Sequence, residues 1–183
     1  MPESATSGPN TWDARRARLE SIRHWRLRAR IGVVAATQSG SADLQWEEQG
    51  EVFTLKVSGA FGHGLIAIEG DAASVHLKTG KGEQLGAASA EDLILQQTGW
   101  VIPVNGMRRW MLGLPSGLYP DESFTLDDAG RIDKLRGGGW EIEYGRYGLY
   151  HGHQLPDRIR MQNEQVKIKL AVIDWEILDA NEQ

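Results

Sequence analysis

The chain switches between two hydrophobic periods. Trp12, Leu19 and Ile22 recur at helical spacing behind Asn10 or Thr11, either of which can cap a helix, and the pattern runs to about Trp25. The period then drops to two. Leu27, Ala29, Ile31 and Val33 alternate with Arg26, Arg28, Arg30 and Gly32, as in a strand with one buried face. Further short strands follow at Leu44 and Trp46, at Phe53, Leu55 and Val57, at residues 65–68, and at Val75 and Leu77. Turn signals at Gln49-Gly50, residues 59–64 and Thr79-Gly80 separate them, the tempo of an antiparallel meander.

The middle of the chain reads differently. Ser89-Ala90-Glu91-Asp92 resembles a capping box and opens a helix carrying Leu93, Ile94 and Gln97, which Gly99 is placed to end. Met107, Trp110, Met111 and Leu112 predict a second short helix, closed by Gly113 and Pro115. Strands resume with Phe124 and Leu126, a turn at 127–130, and Ile132 and Leu135. After a triglycine at 137–139 come Trp140, Ile142 and Tyr144, then Ile159 and Met161, then Val166, Ile168, Leu170 and Val172. Near Asp174 the apolar phase slips to Trp175 and Ile177, which predicts a bulge. The expected architecture is mainly β with an α lid. A leader at 1–10 precedes one domain at 11–179, an antiparallel sheet of ten to eleven strands. So wide a sheet curls, and the two middle helices are the obvious cover for its apolar concave face.

Composition narrows the chemistry. With 183 residues, 40% hydrophobic and 25% charged, the chain is neither disordered nor fibrous. It has no cysteine, so neither a disulfide nor a thiolate site is available. No apolar run is long enough to span a bilayer as a helix. Seven arginines face three carboxylates within residues 1–30, a surplus of four, while the whole chain carries −5. A basic arm on an acidic body suits a phosphate-bearing surface; a solvated helix face explains it equally well. Nucleic acid is not expected, because no binding motif is present and the acidic body repels a polyanion.

Catalytic and metal chemistry find little support. His151-x-His153 would place two imidazoles on one strand face, but no third ligand follows at a metal-site spacing. The triglycine lacks the Lys-Ser/Thr of a phosphate loop. No metal, no cofactor and no enzymatic activity are expected. Seven tryptophans are many for this length, and they either fill a core or wall a cavity suited to acyl chains.

Particular segments resemble the LolB family of outer-membrane lipoprotein receptors. They are Trp25-Arg26-Leu27-Arg28-Ala29-Arg30-Ile31-Gly32, Leu44-Gln45-Trp46, Ser58-Gly59-Ala60-Phe61-Gly62, Gly99-Trp100-Val101-Ile102-Pro103-Val104, Met107-Arg108-Arg109-Trp110-Met111-Leu112-Gly113-Leu114-Pro115, Gly139-Trp140-Glu141-Ile142-Glu143-Tyr144, Leu155-Pro156 and Lys167-Ile168-Lys169-Leu170. The likeness implies a curled, half-open antiparallel β-barrel over a hydrophobic cavity closed by short helices. It also implies a function: accepting lipoproteins from the periplasmic carrier LolA, holding their acyl chains, and inserting them into the inner leaflet of the outer membrane. In the family a protruding loop carries a bulky apolar residue, and Phe61 stands in that place. The family is anchored at the periplasmic face of the outer membrane by a lipidated N-terminal cysteine. This sequence has none, so either the cysteine precedes Met1 or the chain is untethered.

Alternation assigns the cavity wall to Leu27, Ala29 and Ile31, Leu44 and Trp46, Phe53, Leu55 and Val57, and Trp140, Ile142 and Tyr144. The lid adds Leu93, Ile94, Met107, Trp110 and Met111. A lipocalin-like carrier of a small hydrophobic molecule is the alternative on the residues alone. A purely structural envelope domain would have no cavity large enough for an acyl chain.

Overall fold

The computed structural model describes residues 11–36, 38–59, 65–71 and 73–178. Helix α1 (Trp12–Glu20) leads into β1 (His24–Ala35), β2 (Ser39–Gln49), β3 (Val52–Ser58), β4 (Ile66–Gly70), β5 (Val75–Thr79) and β6 (Gln84–Ala87). Helices α2 (Ala90–Thr98) and α3 (Val104–Trp110) follow. The chain ends in β7 (Ser123–Leu126), β8 (Ile132–Gly137), β9 (Trp140–Tyr150), β10 (His153–Gln162) and β11 (Val166–Ile177). All eleven strands form one antiparallel sheet in the order β6-β5-β4-β3-β2-β1-β11-β10-β9-β8-β7. Strand β1 is its spine, joining the two meanders through β2 on one side and β11 on the other. The outermost strands β6 and β7 do not pair with each other, so the sheet curls without closing.

Alternation explains the strands. Trp25, Leu27, Ala29 and Ile31 point to one side of β1, and Glu48, Trp46, Leu44 and Ala42 on β2 oppose them in that order. The slip near Asp174 is a bulge: Arg28 opposes Asp174 while Ala29 opposes Val172, which leaves Ile173 unpaired and exposed. Trp46 and Trp175 both face Leu27, and Trp25 packs between their rings at 5.8 and 5.2 Å. This aromatic cluster fills the sheet at the end near α1.

Three expectations are corrected. Helix α1 stops at Glu20, and Trp25 belongs to β1. Trp25 fits both the helical spacing from Ile22 and the strand spacing to Leu27, and pairing with strands on both sides prevails. Strand β6 is an additional edge strand with little burial, so it leaves no alternation to read. The arginines of the first 30 residues do not form an arm. Arg15 is buried, Arg16 pairs with Glu20, and Arg26 bridges Glu47 and Glu176 across three strands.

The cover is fastened unevenly. On α3, Arg108 grips the buried Glu48 of β2 through Nε to Oε1 at 2.8 Å and Nη2 to Oε2 at 2.5 Å. Trp46 Nε1 donates to the same carboxylate at 2.9 Å. Arg109 reaches Glu20 of α1 at 2.7 Å and the Pro115 carbonyl at 2.8 Å. Helix α2 is seated mainly by Ala90 and Leu93, with Glu91 accepting the Asn105 N–H at 2.8 Å.

Burial pushes the Glu48 carboxyl above its ordinary range, against the pull of Arg108 and Trp46. Replacing Arg108 by Met leaves that carboxylate without its counter-charge, and the expected cost is roughly 3 kcal/mol at neutral pH. A group whose folded-state pKa is raised loses its contribution to stability as pH rises through that value. The deficit of Arg108→Met therefore shrinks as pH falls toward 4.5, Glu48's ordinary value. Urea titrations of both proteins at acid and neutral pH measure it.

Candidate functional site

The concave face is solid in one half and hollow in the other. The solid half lies under α3. Trp110 and Met111 are fully buried there, in the same hydrophobic cluster as Leu135, Trp140, Ile142 and Tyr144. Tyr144 Oη donates to the Trp110 carbonyl at 2.7 Å, and its burial raises the phenol well above its ordinary pKa. Glu122 supports the same segment. It accepts from Trp110 Nε1 at 3.2 Å, Ser116 Oγ at 2.7 Å and the Gly117 N–H at 2.9 Å. Burial acts to raise the Glu122 carboxyl, but these donors outweigh it and hold the group below its usual range.

The hollow half lies under α2, the segment that follows it and the first turn of α3. A half-open cavity of about 140 Å³ is lined by Ile31 and Val33 of β1, Leu44 and Trp46 of β2, and Leu55 and Val57 of β3. Ile66 and Ile68 of β4, Leu77 of β5, and Ile168 and Leu170 of β11 complete the sheet side. The cover contributes Ile94, Gln97, Trp100, Ile102, Val104 and Met107. Among the described residues, Gln97 is the one amide or charged side chain in this wall. Ile31, Val57, Ile66, Ile94 and Trp100 are only partly buried, so the wall is incompletely packed where they meet.

Local chemistry places the cover. Ser89 Oγ accepts the Asp92 N–H at 3.1 Å and starts α2. Gly99 ends it at φ 77°, a left-handed turn that a side chain would strain. The chain thereby reverses so that Trp100, Ile102 and Val104 meet the sheet.

Of the residues expected at the cavity, the structure brings together Ile31, Leu44, Trp46, Leu55, Val57, Ile94 and Met107. Leu27, Ala29, Phe53, Leu93, Trp110, Met111, Trp140, Ile142 and Tyr144 are not on its wall; they belong to the packed core. Alternation identifies the concave face but not which part of it is filled. Val33, Ile68, Leu77, Ile168 and Leu170 were readable as concave-face residues, and only the position of the cover distinguishes them. Phe61 lies outside the described residues. His151 occupies the β9–β10 turn at φ 49° and His153 begins β10, so the two imidazoles do not share a strand face. Among the described residues no group of three His, Cys, Asp or Glu is placed to hold a metal ion.

The family model described as outer membrane lipoprotein LolB matches residues 23–175. The outer-membrane lipoprotein LolB of Halorhodospira halophila is 36% identical over 155 residues, covering 84% of this chain and 76% of that protein. Its counterpart from Nitrosococcus oceani is 31% identical, over 97% of this chain and 88% of that protein. A crystal structure of a LolA superfamily protein from Nitrosomonas europaea shares the fold, with a TM-score of 0.55 at 11% identity over 92% of this chain and 94% of that one. The curled sheet, the helical cover and these matches across nearly the whole described chain agree: the protein belongs to the LolB family of outer-membrane lipoproteins.

Proposed function

We propose that the hollow under α2 is where this protein holds the acyl chains of lipoproteins that it takes from a LolA-type periplasmic carrier and inserts into the outer membrane. Transfer of this kind works by binding, with no bond made or broken. The observation that carries the reading is an apolar cavity with one amide or charged side chain among the described residues of its wall, set beside an equally apolar half that is filled. Each methylene moved from water into such a wall gains about 0.8 kcal/mol.

The cavity is small for this cargo. An aliphatic cavity of about 150 Å³ holds a benzene-sized guest, so 140 Å³ admits the end of one chain. Entry of a whole acyl chain requires the cover to shift. Helix α2 is the part that gives way, because α3 is tied by Arg108, Arg109 and Tyr144 to the sheet, to α1 and to its own chain. Substituting Phe for Val57 adds volume to the cavity wall. The expected result is a protein that melts near the parental temperature but accepts lipoprotein from the carrier several-fold less well. A pull-down of the acceptor after incubation with loaded carrier measures this.

Delivery is assigned to Phe61, on the resemblance and on its setting in Gly59-Ala60-Phe61-Gly62-His63-Gly64. A phenylalanine leaving water gains about 1.5–3 kcal/mol, a ten- to hundredfold preference for the bilayer. That suffices for a touch and falls short of an anchor. Phe61→Glu should accept lipoprotein at near the parental rate and insert it poorly into liposomes, while Phe61→Leu should insert nearly as well as the parent. Scoring acceptance and insertion as separate steps checks both. Insertion by Phe61→Glu at the parental rate would remove this residue from the delivery step.

A further inference from the structure

The outer face of the sheet, opposite the cavity, carries a shallow trough of about 800 Å³ across β1, β11, β10 and β9. Its floor exists because small residues meet there. Gly32 on β1 opposes Lys169 on β11, and Ala171 on β11 lies between Arg30 of β1 and Arg158 of β10. A Cβ added at Gly32 would stand in open space.

Cations stand around this floor. Lys169 and Arg160 are direct cross-strand partners, an unfavourable juxtaposition of like charges, and Arg158 lies one pleat away on the same face. Arg158, Arg160 and Lys169 are exposed, and none of them forms an ion pair among the described residues, although Glu143 of β9 stands directly across from Arg160. Arg30 and Arg146 also line the trough, each paired with a carboxylate outside its lining, Asp43 and Asp157. The carboxylates in the lining are Asp133 and Glu143, and Glu143 faces Lys134 at 3.9 Å. The protein as a whole carries −5, so this face opposes its average charge.

We infer that the trough docks the protein on the phosphate headgroups of an anionic bilayer. Guanidinium groups pair with phosphate oxygens in a two-pronged geometry, and cations spread over four strands suit a planar array of charge better than a single peptide. Topology favours the same occupant. Ser58, the last residue of β3, pairs with Asp43, and Asp43 pairs with Arg30 at the trough. Arg30 and Arg158 therefore lie level with the residue at which β3 ends, and Lys169 and Arg160 lie one pleat further along the sheet. The inference rests on the reading that this protein works at a membrane, and it adds an electrostatic contact to the apolar one.

Each cation at an anionic surface contributes about fivefold in affinity, so Arg158→Gln with Arg160→Gln should weaken binding roughly 25-fold. Sedimentation of the full chain with phosphatidylcholine vesicles, with and without phosphatidylglycerol, reads this out. The loss should appear only on the vesicles containing phosphatidylglycerol, and added salt should abolish parental binding to them. Gly32→Glu places a carboxylate among the cations while keeping every native side chain, and it should weaken binding with no loss of thermal stability. Undiminished binding of both variants overturns the inference. So does normal vesicle binding with lost acceptance from the carrier, which would assign the trough to an acidic protein surface. The acceptance assay with Val57→Phe tests the transport reading separately, since vesicle binding needs no lipoprotein.

Discussion

An eleven-stranded sheet with an apolar concave face and two unpaired edges must be covered by its own chain. This constraint organises the rest of the molecule. The segment between β6 and β7 provides the cover, because among the described residues the strands on either side of it run as two meanders of hydrogen-bonded neighbours. The cover is two short helices joined by an irregular stretch, and it meets a concave face much wider than one helix. Filling that whole face would require large side chains along the entire segment. The sequence supplies Trp110, Met111, Leu112 and Leu114 at one end, and a glycine-terminated helix with Ile94 and Gln97 at the other.

The two ends are also fastened by different physics. At α3 a buried carboxylate, Glu48, is desolvated and paired by Arg108, and removal of either partner would strand a charge or a guanidinium. Arg109, Tyr144 and Glu122 add directional bonds around the same turn. Such bonds fix one geometry. At α2 the seat consists largely of aliphatic contacts, which carry no direction and tolerate displacement at graded cost. A receptor for acyl chains needs both properties, a fixed floor that preserves the fold and a cover that can yield.

Most of the sheet was legible in the sequence because a two-residue period on one buried face leaves a plain trace. Even the bulge at Ile173 showed as a phase slip. Strand β6 left no trace because its residues are largely exposed, and Trp25 was ambiguous because it satisfies two periods at once. The cavity was legible only as a face. Leu27 and Leu44 obey the same alternation, yet one sits among tryptophans and the other beside a void. That difference depends on where Trp110 and Ile94 come to rest, which alternation does not encode. The basic trough was less legible still. Arg30, Arg158 and Lys169 are far apart in the chain and meet only through the register of β1, β11 and β10.

The central claim is that acyl chains occupy the hollow half beneath α2 and not the packed half beneath α3. A photo-crosslinking amino acid at Ile68, on the cavity wall, or at Leu135, in the packed core, distinguishes the two directly. After transfer of a lipoprotein from its carrier and illumination, the account predicts an adduct between position 68 and the acyl chains, and none at 135. An adduct at 135 with none at 68 would contradict it.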